Sequence, residues 1–377
     1  MIMGYLAFVL LCASLYVFAS LTKSKGFEKL DIIRDINKKY VQQGERFDIN
    51  LIIENKKWLP ISFLQITEKF DDGIELVDSK NSEDRENQYK SSLSVLWYQR
   101  IRKRYRASIN KRGVFYFRSM NVSLGDLLGF SYDQKQINDV REIVVYPRIK
   151  SYYKLTVNDK SIMGETIVKR WIYDDPLYIK GIREYNINDR MKDIHWKSSL
   201  KMNKLMVKEY DFTAEREIII IINTQFGVPF YSFVDEELIE RSIDAALSIV
   251  VDAKNVGIAV GLWTNTQIVS YFHDFKDEVQ ASGNNYKHIL ELLARMDSNC
   301  KIEFSQYILE KEKSFNKNTV YVIVTAYLNE KDIGMIYQLR HKGCNFKILD
   351  TSLNGTVPYI KGIDKVRYSV EGNVNES

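Results

Sequence analysis

Cysteine, histidine and proline are all scarce in this chain, and each scarcity removes a class of protein. Three cysteines (Cys12, Cys300 and Cys344) are too few for a disulfide-dense secreted scaffold or a four-cysteine zinc module. Four histidines argue against a multi-histidine metal enzyme. Five prolines and eighteen glycines exclude collagen-like and Pro/Gly low-complexity sequence. Charge of one sign is not in large excess either. Fifty-four basic residues against forty-nine acidic ones leave +5, spread along the chain, which does not point to nucleic acid. Neither a P-loop nor a dinucleotide fingerprint occurs, and there is no nucleophile-elbow sequence.

What is present is enough apolar sequence to build cores. The chain has 377 residues, of which 45% are hydrophobic and 27% charged. At about 150 residues per domain, that length suggests two or three domains.

Met1 to Leu21 carries no charged side chain. At about 1.5 Å per residue, such a run reaches about 30 Å, enough to cross a bilayer core. The sequence therefore predicts an uncleaved transmembrane anchor over residues 1–22, in contact with membrane lipid. A cleaved signal peptide, with Val17 and Ala19 before Ser20, lacks its basic leading region. Lys23, Lys25, Lys29 and Arg34 follow the run, so the positive-inside rule places the bulk in the cytoplasm of a single-pass cell-membrane protein.

Residues 27–150 read as strands. Phe47–Ile53, Ile61–Ile66, Gly113–Phe117 and Glu142–Tyr146 carry β-branched and aromatic residues, and turn residues such as Asp71-Asp72-Gly73 separate them. Several short strands at this spacing predict a β-sandwich. Arg100, Arg102, Arg104 and Arg106 share one face of such a strand. A solvated face, attraction to anionic lipid and single-stranded nucleic acid binding are three readings of it. No nucleic-acid motif supports the last.

Residues 216–355 alternate strand and helix. Ile218 to Ile222 is a continuous apolar run that suits a central strand covered on both faces. Ser232, three residues before Asp235, gives a helix start, and Ile239, Ile243, Ala246, Leu247 and Val250 form its apolar stripe. Further strands are predicted at Ile258–Trp263 and Gln267–Phe272, joined by Thr264-Asn265-Thr266, and at Thr319–Thr325 and Phe346–Leu349, with one helix through Ile289, Leu290, Leu293 and Met296 and another through Ile333, Ile336 and Leu339. This order predicts an open, mostly parallel α/β sheet. Residues 356–377 read as a tail.

The connector, residues 151–215, holds the densest cluster of charged, aromatic and hydroxyl side chains. Arg183, Tyr185, Asp189, Arg190, Ile194, His195, Trp196 and Ser199 resemble the signature of the bacterial "domain of unknown function 58" family. Asn188 stands where that family usually has Gly, and Leu200 and Lys201 where Ala and Arg are common. Lys111 to Phe115, Gly125 to Phe130 and Val144 to Pro147 resemble three further family motifs in the same order. The resemblance implies a membrane anchor, a β-rich domain, the connector and a von Willebrand factor A-like (Rossmann-like) α/β domain. Family members are often encoded beside AAA+ ATPases of the MoxR type and transglutaminase-like membrane proteins. Both are expected partners on that ground.

A von Willebrand A domain often holds Mg²⁺ through Asp-x-Ser-x-Ser at the end of its first strand. The matching positions here are Asn223, Gln225 and Gly227, and Thr325 after a later strand adds no carboxylate. Mg²⁺ needs at least one hard anionic oxygen to offset its dehydration, so neither metal nor other cofactor is expected. His195, with Asp189, Asp193, Ser198 and Ser199, suggests a hydrolase or transferase site. Residues this close in sequence seldom bring nucleophile and base together. The family resemblance, with the metal and nucleotide motifs absent, implies a non-enzymatic adaptor at the membrane that recognises an AAA+ ATPase through the connector and the C-terminal ends of the α/β strands. Enzymatic chemistry at His195 and lipid or nucleic-acid binding at Arg100–Arg106 are the alternatives. In the connector itself, Tyr185 and Trp196 either pack between domains or anchor a partner.

Overall fold

The computed structural model describes residues 5–6, 9–10, 20–21, 24–77, 88–125, 132–148, 179–186, 189, 191–210, 217–272 and 274–368. The chain divides into two compact units, residues 1–148 and 149–377.

From residue 30 onward, the described residues of the first unit are organised as strands and the turns between them. The strands are β1 (Leu30–Ile36), β2 (Tyr40–Gln42), β3 (Arg46–Asn55), β4 (Ile61–Lys69), β5 (Ile74–Leu76), β6 (Gln88–Val95), β7 (Arg100–Ile109), β8 (Gly113–Gly125) and β9 (Tyr132–Tyr146). One sheet has the order β1-β3-β7-β5 and the other β2-β9-β8-β4-β6. Period-two patterning explains the arrangement. In β3, Phe47, Ile49, Leu51 and Ile53 are buried while Asp48, Asn50, Ile52 and Glu54 alternate outward. The buried face joins Leu64 and Ile66 of β4, Ala107 of β7 and Phe117 and Val122 of β8 in one apolar core.

That core contains an ion pair. Arg34 of β1 and Glu68 of β4 approach to 3.3 Å, each with its side chain 1% exposed. The Tyr105 hydroxyl donates to Glu68 Oε2 at 2.8 Å, and Arg34 Nη1 donates to the Asp139 carbonyl at 3.0 Å. The Arg34 guanidinium also lies over the Phe117 ring at 5.5 Å. Burial pushes the Glu68 carboxyl up, against the pull of Arg34.

The second unit begins with an antiparallel ribbon of β10 (Ile179–Glu184) and β11 (Met206–Tyr210), with helix α1 (Trp196–Met202) between them. After it come β12 (Glu217–Ile222), α2 (Glu236–Val256), β13 (Ala259–Thr264), β14 (Thr266–Ile268) and β15 (Glu278–Ser282). Next are α3 (Tyr286–Arg295), β16 (Met296–Cys300), α4 (Phe304–Glu310) and β17 (Thr319–Thr325). The last elements are α5 (Glu330–His341), β18 (Asn345–Asp350) and β19 (Asp364–Arg367). The main sheet has the order β15-β13-β12-β17-β18-β19, and β14 pairs with β16 in a separate ribbon. β12, β13, β17, β18 and β19 run parallel, while β15 runs antiparallel to β13. The five isoleucines of β12 are all buried, split between two apolar clusters on opposite faces of the sheet. Helix α2 starts at Asp235, whose Oδ1 accepts from Leu238 N at 3.0 Å, rather than at Ser232. The segment expected to be a tail contains β19, which pairs with β18.

The expected fold class is corrected in two respects. No helix among the described residues is long and apolar enough to cross a membrane. The transmembrane helix and the single-pass cell-membrane placement therefore do not stand. Most of residues 1–22, on which they rested, lie outside the described residues. The von Willebrand A-like, Rossmann-like label is corrected as well. The described residues are mainly β, with nineteen strands against five α-helices; the main sheet is mostly parallel, as its strand order predicted, with β15 antiparallel at one edge.

Helix α5 carries a titratable feature. Asn329 and Asp332 form a reciprocal capping box, with Asp332 N donating to Asn329 Oδ1 and Asn329 N to Asp332 Oδ2, both at 2.9 Å. Burial pushes the Asp332 carboxyl up from 3.8 to about 6. The folded state then holds this proton more tightly than the unfolded chain. Stability from this group is present below about pH 4 and is lost as pH rises to about 6, by at most about 3 kcal/mol. Asp332→Asn keeps an acceptor for the Asn329 N–H but cannot ionise. Urea denaturation at pH 4 and pH 7 is expected to show the variant gaining on the wild type across that interval. Parallel curves would show that the carboxyl ionises as freely as in water.

Candidate functional site

Three clusters expected from the sequence can be placed. The first is the connector. Arg183 leaves β10 and grips Asp189 with two parallel bonds, Nη1 to Oδ2 at 2.6 Å and Nη2 to Oδ1 at 2.5 Å. Asp189 Oδ2 also accepts from Asn186 N at 2.7 Å. The guanidinium and this N–H hold the Asp189 carboxyl down at about 2. Tyr185 is half-buried, and its N–H donates to the Leu205 carbonyl at 2.9 Å. Arg190 lies outside the described residues, as does most of the turn expected at 125–130.

His195 works as a structural cap. Its Nδ1 accepts from Ser198 N at 3.1 Å at the start of α1, and its own N–H donates to the Met206 carbonyl at 2.8 Å. The accepting Nδ1 is therefore the unprotonated nitrogen. Ser199 Oγ donates to the His195 carbonyl at 3.1 Å and accepts from Met206 N at 2.9 Å. These bonds tie α1 to β11. They direct the Ser199 hydroxyl to the backbone rather than to the imidazole.

Trp196 is 60% exposed on α1. Leu200, one helical turn later, is 83% exposed, and Met191, Met202 and Leu205 are exposed nearby in sequence. The i, i+4 spacing places Trp196 and Leu200 in one row on α1.

The second cluster lies at the ends of β12, β13 and β17, where the degenerate metal positions fall. Asn223 Nδ2 donates to Thr325 Oγ1 at 3.1 Å and to the Tyr327 carbonyl at 3.0 Å. Its Oδ1 accepts from Gln225 N at 2.9 Å and from Asn265 Nδ2 at 3.2 Å. Gln225 Oε1 accepts from Phe304 N at 2.9 Å, and its Nε2 donates to the Gly227 carbonyl at 3.0 Å. Asn265 Oδ1 accepts from Thr224 N at 2.9 Å. Asn223, Gln225, Asn265 and Thr325 are all buried. Each of these amides is hydrogen-bonded through both its oxygen and its nitrogen to protein atoms. Among the described residues no group of three or more His, Cys, Asp or Glu side chains could hold a metal ion. Asn265 was not singled out from sequence. Its signal was the Thr264-Asn265-Thr266 step at the end of a buried strand, which reads equally as a turn.

The third cluster is the arginine face of β7. Arg100, Arg102, Arg104 and Arg106 are exposed as the alternation predicts. Their cross-strand neighbours on β3 are Glu54, Ile52, Asn50 and Asp48. Arg104 grips Asp48 with two bonds of 2.9 and 2.8 Å. Two of the four neighbours, Glu54 and Asp48, are acidic and offset part of this face's positive charge.

Comparison with known proteins bears on the second unit. Residues 181–354 match the family model described as "Protein of unknown function DUF58". That stretch runs from the ribbon through α1 and the main sheet to just beyond β18. The family is supported over it, and the resemblance seen at the connector falls inside it. A Bacillus subtilis (strain 168) protein, YeaD, described as uncharacterized, is 21% identical over 336 residues, covering 87% of this chain and 78% of that protein. Similar solved structures include native alpha-2-macroglobulin from Escherichia coli, at 16% identity and a TM-score of 0.25, covering 31% of this chain and 17% of that one. Another is the CARDB domain of the PF1109 protein from Pyrococcus furiosus, at 11% identity and a TM-score of 0.22, covering 32% and 90%. Likeness at that level carries no argument. None of these matches extends the DUF58 stretch to a von Willebrand A label or to an ATPase partner.

Proposed function

We propose that this chain is a non-enzymatic adaptor that recognises a partner protein through the connector, and that the partner is an AAA+ ATPase of the MoxR type. The observation that carries the reading is the exposed Trp196–Leu200 row on α1. A large aromatic and a leucine held out in water cost free energy unless something covers them, and tryptophan is the residue most often found anchoring interfaces. The row is held in place. His195 caps the helix, Ser199 ties it to β11, and the Arg183–Asp189 clamp closes the turn beside it. A rigid anchor loses little side-chain entropy on binding. The choice of ATPase rests on the family resemblance, whose members are often encoded beside one. Two features support a non-enzymatic role: His195 Nδ1 serves as a cap, and the Ser199 hydroxyl bonds to the backbone.

The test is affinity capture with the full chain from a lysate of its own cells, read by mass spectrometry. An AAA+ ATPase is expected with the wild type, falling at least about tenfold with Trp196→Ala/Leu200→Ala. Circular dichroism checks that both proteins are folded. Capture of no ATPase by folded wild type would sink the partner, and equal capture by the variant would sink the docking surface.

A further inference from the structure

The α1 row has a counterpart of opposite character elsewhere in the same unit. Between β12 and α2 the chain exposes Val228, Tyr231, Phe233 and Val234. The exposed acids Asp235, Glu236 and Glu237 follow at once. This loop is shaped rather than loose. Gln225 Nε2 holds the Gly227 carbonyl, and Ser232 N donates to the Pro229 carbonyl at 3.1 Å. The Phe233 ring occupies the space a Cβ at Gly227 would need, so glycine is required there. Phe230 and Tyr231 meet edge to face with centroids 5.4 Å apart.

The α1 surface is basic where this loop is acidic. Lys197 and Lys201 are exposed and lie one turn apart, beside the Trp196–Leu200 row. Each surface therefore pairs an apolar row with a charged one, and the charges are opposite. We propose that the Trp196–Leu200 and Lys197–Lys201 face of one copy docks on the Tyr231–Phe233 loop and the Glu236–Glu237 start of α2 in a second copy. Aromatic and leucine side chains supply the apolar contact, and the lysine–glutamate pairs set its register. The two halves are different surfaces, so the contact is heterologous. A pair of copies keeps one free half of each kind and adds further copies, until a ring closes or a filament grows. The contact does not rest on the ATPase reading. Where both hold, a second copy and the ATPase compete for α1, and self-association keeps the adaptor masked.

A charge-swap series on the full chain, read as mass in solution by sedimentation, tests the contact without any ATPase. Wild type is expected to rise with concentration from the 44.2 kDa of one chain to two or more times that mass. Lys197→Glu/Lys201→Glu and Glu236→Lys/Glu237→Lys are each expected to stay at a single chain's mass. Mixed in equal amounts, these two variants re-form a complementary pair at both junctions, so association is expected to return. Wild type that stays a monomer up to about 100 μM overturns the proposal, because a contact weaker than that lies outside stable interfaces. Double variants that associate like wild type overturn it, as does a mixture that stays monomeric.

Discussion

Asn223→Asp is expected to weaken the second unit by about 3–5 kcal/mol at neutral pH, and about 10 mM Mg²⁺ is not expected to restore it. The substitution looks like a repair, because it returns a carboxylate to the position where a metal-binding sheet end would carry one. The structure argues the opposite. The amide nitrogen of Asn223 makes two donor bonds, to Thr325 Oγ1 and to the Tyr327 carbonyl. A carboxylate has no donor, so it would face that carbonyl across the same short distance. It would also be a buried charge with no cation beside it, since its neighbours Gln225, Asn265 and Thr325 are neutral. The amide oxygen's two bonds, from Gln225 N and Asn265 Nδ2, survive the change and do not offset this loss. Urea denaturation followed by the fluorescence of Trp263, buried on the neighbouring strand β13, reads the effect. Recovery of the lost stability on adding Mg²⁺ would show that the network opens to hold an ion, and would return a metal site to consideration.

The same cluster shows what a single sequence reveals and what it hides. That positions 223, 225 and 227 lack the carboxylate and hydroxyls of a metal-binding pattern was legible, because it needed only residue types. The hydrogen bonds that Asn223 and Gln225 make instead were not legible. Asn265 reaches Asn223 across 42 positions of sequence, and a Thr-Asn-Thr step reads as a turn until the strand ends are seen side by side. Strands announced themselves by period and apolar runs, as at Phe47–Ile53 and Ile218–Ile222. Helix caps were less certain. Both Ser232 and Asp235 suit a start, and only the bond from Leu238 N selects Asp235. Trp196 was left open between a brace and a partner anchor, because residue type does not fix which way a helix turns; His195 and Ser199 tie α1 to β11, and the indole is exposed. The apolar run at Met1–Leu21 was read by composition and length alone. No helix among the described residues meets those requirements, which corrects the spanning helix drawn from it.

Arg34 is the other position where one substitution is expected to have a large effect. It was read only as a charge flanking the N-terminal run, yet it lies in the core of the first unit, 2% exposed. Arg34→Met is expected to cost about 3–5 kcal/mol near pH 8, because Glu68 is left as a buried charge without its partner. Glu68→Leu leaves the opposite charge and is expected to cost a similar amount. The double variant Arg34→Met/Glu68→Leu is expected to recover most of either loss, since apolar side chains of that size suit a sandwich core. Recovery stops about 1–3 kcal/mol short, because the Tyr105 hydroxyl loses its acceptor and the Asp139 carbonyl its donor. The pH dependence separates lost charge pairing from lost packing. Burial already pushes the Glu68 carboxyl above its ordinary 4.5, and Arg34 opposes that rise. Without Arg34 the folded state holds the Glu68 proton more tightly still. The deficit of Arg34→Met should therefore be smallest at low pH, where Glu68 is protonated in both folded proteins, and grow as pH rises and Glu68 ionises beside Arg34 in the wild type while the variant still holds its proton. A deficit equal at pH 5 and pH 8 would mean that Arg34 stabilises the sandwich by filling space over Phe117 rather than by meeting Glu68.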